Sequence, residues 1–241
     1  MTKVLREDQV RSAVEYDQTA ADCIRQAYLW MRDRTVSMPP VFHIDIDPNS
    51  AIDVKGAYVE GLPSFAIKMA SGFNENPKRG LPSSSSVILL ISAKTGFCEA
   101  VFLDNGYLMN LRTALAGAVA THSMARCDAL TVGIVGTGVQ ARAQLEALSV
   151  LRDIGEVMVW GRNTARAEAC AAEMKEVTEV EVTAVSELEA LVRKSEIITT
   201  TTPSMVPLIR SDWVQPGTHI TAMGSDLPGK QELQADVLLA A

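Results

Sequence analysis

From Ala129 onward, short apolar runs alternate with longer stretches in which apolar residues recur every three or four positions. The runs LTVGIVG, EVMVWG, VEVTAV, EIITTTT and THITAMG read as strands. The stretches through Leu151, through Lys175 and near Leu188 read as helices between them. That alternation predicts an α/β unit with a parallel sheet and helices on both faces. Earlier in the chain the pattern differs. Residues Asp17 to Asp33 place Ile24, Ala27, Tyr28 and Met31 on one helical stripe, with Asp17 as the N-cap. Between Ala51 and Tyr107 the runs IDVKGAYV, SFAIKMA, SVILLISA and CEAVFLD are separated by the turn-like pieces EGLPS, NENPKRGLPSSSS and AKTG, which predicts a mostly antiparallel meander. Ser83 to Ser86 read as a polar loop. The Ala-rich segment Leu111 to Arg126, with Gly117 in it, predicts a closely packed connecting helix. Two domains are expected: an α+β one over 1–128 and an α/β one over 129–241.

Composition narrows the picture. Hydrophobic residues make up 47% of the chain and aromatic ones 5%, so Ala, Val, Leu and Ile must build the core. A net charge of −7 with dispersed Lys and Arg offers no surface for phosphate backbones, so no nucleic-acid partner is expected. No apolar run is long enough to span a bilayer, and MTKVLREDQ lacks the apolar core of a signal peptide, which predicts a soluble, cytoplasmic protein with no membrane partner. Cys23, Cys98, Cys127 and Cys170 form no CxxC pair, and His43, His122 and His219 are scattered. Free thiols and no metal site are expected.

The most specific motif is GIVGTGVQARAQLEAL. Gly136, Gly138 and Ala141 fit the G-x-G-x-x-G/A fingerprint of a Rossmann dinucleotide site, and the context fits too: an apolar strand precedes it, a helix follows, and a second strand comes about 20 residues later. Gly136 permits the tight turn, Gly138 lets backbone approach a pyrophosphate, and Ala141 brings helix and strand together. The helix N-terminus then faces the phosphates. Cofactor contacts are expected from Gly136, Thr137, Gly138, Val139 and Gln140. Others are expected from Thr200, Thr201 and Thr202 at the carboxyl edge of the sheet, and from Met223 and Ser225 after the last strand. Where an NAD enzyme offers a carboxylate to the ribose, this chain has Gly161, Arg162, Asn163 and Thr164. Arg162 suits a 2′-phosphate, so NAD(P)H is expected, leaning to NADP.

Three further residues suggest substrate chemistry. Asp226 follows the strand HITAMG at the same sheet edge, as a carboxylate beside the nicotinamide or a capping or turn residue. Lys68 projects between Ala66 and Ala70, on the face opposite Phe65, Ile67 and Met69. Arg112, at the start of the Ala-rich helix, could hold a carboxylate together with free backbone amides.

The segments FAIKMASGFNENPKRGLPSS, DNGYLMNLRTALAGAVAT, VGIVGTGVQARAQ and MGSDLPGKQEL resemble the ornithine cyclodeaminase/mu-crystallin family in order and spacing. PPVFHIDI and DVKGAYVEGLPSFAIK look most like its branch of ectoine-utilisation cyclodeaminase-like proteins and imine reductases such as iminosuccinate reductase. The resemblance implies an α+β substrate and dimerisation domain followed by a Rossmann domain, and a homodimer. It implies Lys68 and Arg112 as substrate-binding residues, with Lys68 and Asp226 catalytic. The activity implied is reduction of a small imino acid, or oxidation of the amino acid. The alternatives are cyclodeamination with internally recycled NAD and non-catalytic NADPH binding, as in mu-crystallin, which lacks Asp226. Ornithine cyclodeaminases carry an arginine near the position of His43, so His43, a substrate-site residue by position, argues against ornithine cyclisation. The chain stops at Ala241, short of a usual family member, so the Rossmann domain is expected to be truncated.

Overall fold

The computed structural model describes residues 1–239, which form two compact units. One contains Met1–Glu15 and Asp22–Leu111. The other contains Tyr16–Ala21 and the described chain from Arg112 onward.

The first unit opens with β1 (Lys3–Arg6) and α1 (Glu7–Arg11), followed by α2 (Gln18–Asp33), whose first turn belongs to the other unit. Ala20 N–H donates to Asp17 Oδ1 at 2.7 Å, so Asp17 caps α2 as its position predicts. The strands β2 (Val36–Ser37), β3 (Phe42–Asp47), β4 (Ser50–Val59), β5 (Ser64–Phe73), β6 (Ser84–Ser92) and β7 (Cys98–Leu103) build one sheet, ordered β1-β7-β6-β5-β4-β2, with β3 also on β4. The β4-to-β7 run is the expected antiparallel meander.

Three features depart from the sequence reading. Strand β1 pairs in parallel with β7. Strand β3 adds an antiparallel partner to β4. Ser84–Ser86 are strand rather than loop, because they pair with Gly72, Ser71 and Ala70, where small side chains fit. Phe42, Ile44 and Ile46 share one face of β3 and are 62%, 40% and 53% exposed. The apolar stripe of α2 is also uncovered, with Tyr28 at 50% and Met31 at 58%.

The connecting helix α3 (Tyr107–Met124) leads into β8 (Thr131–Val135), α4 (Val139–Leu151), β9 (Glu156–Trp160), α5 (Thr164–Thr178), β10 (Glu181–Ala184), α6 (Leu188–Lys194), β11 (Ile197–Thr200), β12 (His219–Ala222) and α7 (Ala235–Leu239). The sheet is parallel throughout and ordered β10-β9-β8-β11-β12. This is the doubly wound order, whose winding reverses between β8 and β11.

Small residues set the packing distances. On Gly117 a Cβ would lie 2.2 Å from Gln144 Oε1, so α3 meets α4 closely, and buried Gln144 donates Nε2–H to the Thr113 carbonyl at 3.2 Å. On Gly133 a Cβ would lie 2.4 Å from both Leu191 Cδ2 and Ser195 Oγ, so α6 lies directly on β8. Among the described residues no helix is long and apolar enough to cross a membrane, and no group of three or more His, Cys, Asp or Glu could hold a metal.

Gly133→Ala should overpack the β8–α6 contact and cost about 1–3 kcal/mol. Calorimetry should then show Tm falling by several degrees, whereas an unchanged Tm would show that α6 yields freely.

Candidate functional site

A cavity of about 770 Å³ opens where the winding reverses, at the carboxyl ends of β8, β9 and β11. Its walls include Gly136, Thr137 and Gly138 after β8, Arg162 and Arg166 after β9, and Thr202 after β11. A second hollow of about 570 Å³, in the first unit at Arg6, Glu7, Arg11 and Asn105, is lined mostly by charged side chains.

The turn after β8 is made by its glycines. Gly136 has φ +132°, and a Cβ there would stand 2.3 Å from Thr201 Oγ1. Its N–H donates to the Trp160 carbonyl at 2.9 Å, which ties the turn to the end of β9. Gly138 has nothing within 4 Å of where a Cβ would be, so its backbone is open to a ligand. It is the N-cap of α4, with no side-chain cap and no acidic residue in the first turn. An N-terminus without a side-chain cap and the positive end of the helix dipole suit an anion. Val139, at the first helical position, is 60% exposed, and Ala141 is buried against the sheet. Gln140 Oε1 accepts from Gln144 Nε2 at 3.4 Å.

At the end of β9, a Cβ on Gly161 would meet Thr137 Cγ2 at 2.6 Å, so the two loops lie edge to edge. Asn163 borders the cavity, but its Oδ1 accepts the Arg166 N–H at 2.9 Å and so caps α5. Arg166 is a cavity residue that the sequence reading missed. Its signal was its place in the first turn after a capping Asn, on a helix that starts beside the fingerprint.

The threonines divide their work. Thr201 and Thr202 line the cavity. Thr200 is fully buried, and its hydroxyl donates to Glu232 at 2.7 Å. Met223 and Ser225 are not cavity-lining: Met223 N–H donates to the Thr200 carbonyl, and Ser225 Oγ accepts from Glu232 N–H at 3.1 Å. Asp226 stands on the loop beyond β12, its side chain 62% exposed, and accepts from Lys230 Nζ at 2.6 Å.

Arg112 belongs to the same unit as Asp226, but it is not at a helix start. Helix α3 begins at Tyr107, so Arg112 lies in its second turn, and buried Asp104 already accepts the Leu108 N–H at 2.7 Å. The amides expected beside Arg112 are therefore inside the helix.

Lys68 and His43 belong to the first unit. Lys68 is half-buried on β5, directly opposite Lys55, while His43 pairs with Asp53. His43 Nδ1 lies 2.6 Å from Asp53 Oδ1, its Nε2 lies 3.0 Å from Asp45 Oδ1, and Lys55 Nζ reaches Asp53 at 3.1 Å. The hydrogen bonds to Asp53 and Asp45 push the His43 imidazole above its usual pKa. Burial works to raise the Asp53 carboxyl, but His43 and Lys55 hold it below the usual range.

The family model for the ornithine cyclodeaminase/mu-crystallin family matches residues 1–241. An archaeal alanine dehydrogenase dimer with bound NAD superposes with a TM-score of 0.91 at 31% identity, over 100% of this chain and 72% of that one. The Δ1-pyrroline-2-carboxylate reductase of Thermococcus litoralis, in complex with NADH and L-proline, gives 0.90 at 29% identity, over 98% and 73%. The iminosuccinate reductase of Paracoccus denitrificans, in complex with NAD+, gives 0.89 at 26% identity, over 100% and 74%.

The two fingerprint glycines should respond oppositely to alanine. At Gly136 the strained φ and the Thr201 contact should cost about 1–3 kcal/mol, visible in chemical denaturation. At Gly138 stability should stay within about 0.5 kcal/mol. Equal losses at both would contradict the open approach to Gly138.

Proposed function

The chain belongs to the ornithine cyclodeaminase/mu-crystallin family, and from that premise we propose that it reduces the carbon–nitrogen double bond of a small 2-imino acid with a nicotinamide dinucleotide. The observation that carries this reading is the uncapped N-terminus of α4 behind an open Gly138, at the mouth of a cavity on the winding reversal. The residues present fit the cofactor. Amides of Val139 and Gln140 would hold the diphosphate, and Arg162 with Arg166 would face the adenosine ribose. With two guanidiniums and no carboxylate lining that part of the cavity, a 2′-phosphate is favoured.

When bound, the dinucleotide supplies the hydride. Lys68 and Arg112 take the substrate carboxylate, the roles the family resemblance gives them, and lower the entropic cost of a near-attack arrangement. Asp226 would donate a proton to the substrate nitrogen to give the iminium; a hydride added at the imine carbon would form the new C–H bond while the C=N π pair passed to nitrogen, leaving an amine. Alanine dehydrogenase, pyrroline-2-carboxylate reductase and iminosuccinate reductase share that substrate chemistry. A second copy of the chain is the partner proposed for the uncovered face of Phe42, Ile44 and Ile46, because apolar side chains in such a row are costly to leave in water.

The 340 nm absorbance should fall when NADPH meets a 2-oxo acid with ammonia, or Δ1-pyrroline-2-carboxylate. Ammonia released from a diamino acid with no net absorbance change would instead establish a cyclodeaminase. Asp226→Asn should lower kcat by about 10²–10⁴ with cofactor affinity unchanged. Gly138→Ala should weaken dinucleotide binding about tenfold or more without loss of stability, and losing both Arg162 and Arg166 should reduce preference for NADPH over NADH by about tenfold. Ile44→Asp should shift sedimentation from dimer to monomer, and a wild-type monomer would refute the proposed partner.

A further inference from the structure

Glu232 is fully buried, and its carboxylate is satisfied by neutral donors from two strand ends. Oε1 accepts the Thr202 N–H at 2.6 Å and the Thr202 hydroxyl at 2.7 Å. Oε2 accepts the Thr200 hydroxyl at 2.7 Å and the Gly224 N–H at 2.8 Å. The side chain needs an opening made for it: a Cβ on Gly224 would lie 2.7 Å from Glu232 Cδ and 2.1 Å from the Thr202 carbonyl. The Glu232 backbone is fixed as well, since its carbonyl accepts from Leu208 N–H at 2.8 Å and from Ile209 N–H at 3.0 Å, and Ile209 is wholly buried. Burying a carboxyl group is expensive, and an apolar residue would fill the space without that cost.

What the carboxylate achieves is visible in where its bonds go. Thr202 lines the cavity. Gly224 and Glu232 bracket the loop that carries Asp226, and within the bracket Ser225 Oγ accepts the Glu232 N–H while Lys230 holds Asp226. We infer that Glu232 is the positioning residue for Asp226, a clamp that closes the loop 224–232 and locks it to the cavity end of β11. Glu232 is buried and does not line the cavity. It fixes Asp226 relative to Thr202, so acid/base carboxylate and dinucleotide pocket move as one body. This rests on Asp226 being the acid/base group, and the test separates the two claims.

The test uses Glu232→Gln, Thr200→Val, Asp226→Asn and the double variant of positions 226 and 232. An amide at position 232 presents N–H to a backbone N–H and so loses at least one bond. Hydrogen exchange by mass spectrometry should quicken over residues 224–231 and leave β8 and α4 unchanged. Turnover in the imine-reduction assay should fall about tenfold or more, with the NADPH Kd within about threefold. In the Asp226→Asn background the substitution should cost nothing further, because a residue acting through Asp226 has no effect once that carboxylate is gone. Thr200→Val, a shape-conserving change that removes one donor, should act in the same direction more weakly, and it carries the test if Glu232→Gln does not fold. Unchanged loop exchange, or an equal loss of turnover with and without Asp226, would overturn the proposal. Full activity of Asp226→Asn alone would instead remove the acid/base assignment, leaving the exchange measurement to decide the clamp.

Discussion

Strands β8 and β11 lie side by side where the winding of the sheet reverses, and beyond them Gly136 and Thr201 come so close that a Cβ would stand 2.3 Å from a hydroxyl oxygen. That approach has no room for a side chain and needs a backbone with φ +132°, so glycine is the residue that meets both conditions. From it follows the turn that aims α4 with its first amides uncapped, and the crevice that remains open because neighbouring chains leave in opposite directions. The packing around it is equally tight. Gly133 under α6, Gly161 against Thr137 and Gly117 against Gln144 each remove a side chain where two elements must touch. With so few aromatic residues, the core gains density through such approaches rather than through large rings.

The second unit was legible in the sequence because its signals are local. A strand of period two or of continuous apolar residues, a glycine turn and a helix of period 3.6 each show within a dozen residues, and the fingerprint orders them. The losses came where partners are distant. Strand β1 is short, and its pairing of Lys3 with Ala100 cannot be seen in either segment alone. The Ala-rich run hides the true start of α3, which is set by the Asp104 carboxylate accepting the Leu108 N–H. Ser84–Ser86 looked like a loop by composition, yet a strand accepts serines when the opposite register is Gly72, Ser71 and Ala70. Glu232 gave no signal, since a glutamate between Gln231 and Leu233 has no periodic context. Its role exists only once β11 and β12 are adjacent.

The two units differ in how they bury apolar surface, and this bears on where specificity resides. The Rossmann unit closes its own core, with Val135, Leu191, Ile198 and Ile209 all inaccessible to water. The meander unit does not, and its exposed Phe42, Ile44 and Ile46 form a stripe on the strand whose opposite face carries His43. One face of β3 therefore favours association with apolar surface, while the other presents charge. Alternation along a single strand gives both, so the two properties cannot be altered independently by a shift of register.

On that charged face the register places Lys55 directly across from Lys68, and like charges in such a pair are destabilising. Asp53 offsets this from two residues away: its carboxylate takes Lys55 at 3.1 Å and His43 at 2.6 Å, and these contacts keep it ionised. The offset depends on pH. A carboxyl held below its usual range stabilises the fold above the ordinary carboxylate pKa and loses that contribution as pH falls through the lowered value. The paired His43 works in the opposite sense. Its imidazole is held above the usual value, so its contribution is complete below the ordinary histidine pKa and fades as pH rises through the raised one. Between those limits Asp53 is ionised and His43 protonated, so the one carboxylate faces the positive charges of His43 and Lys55 together.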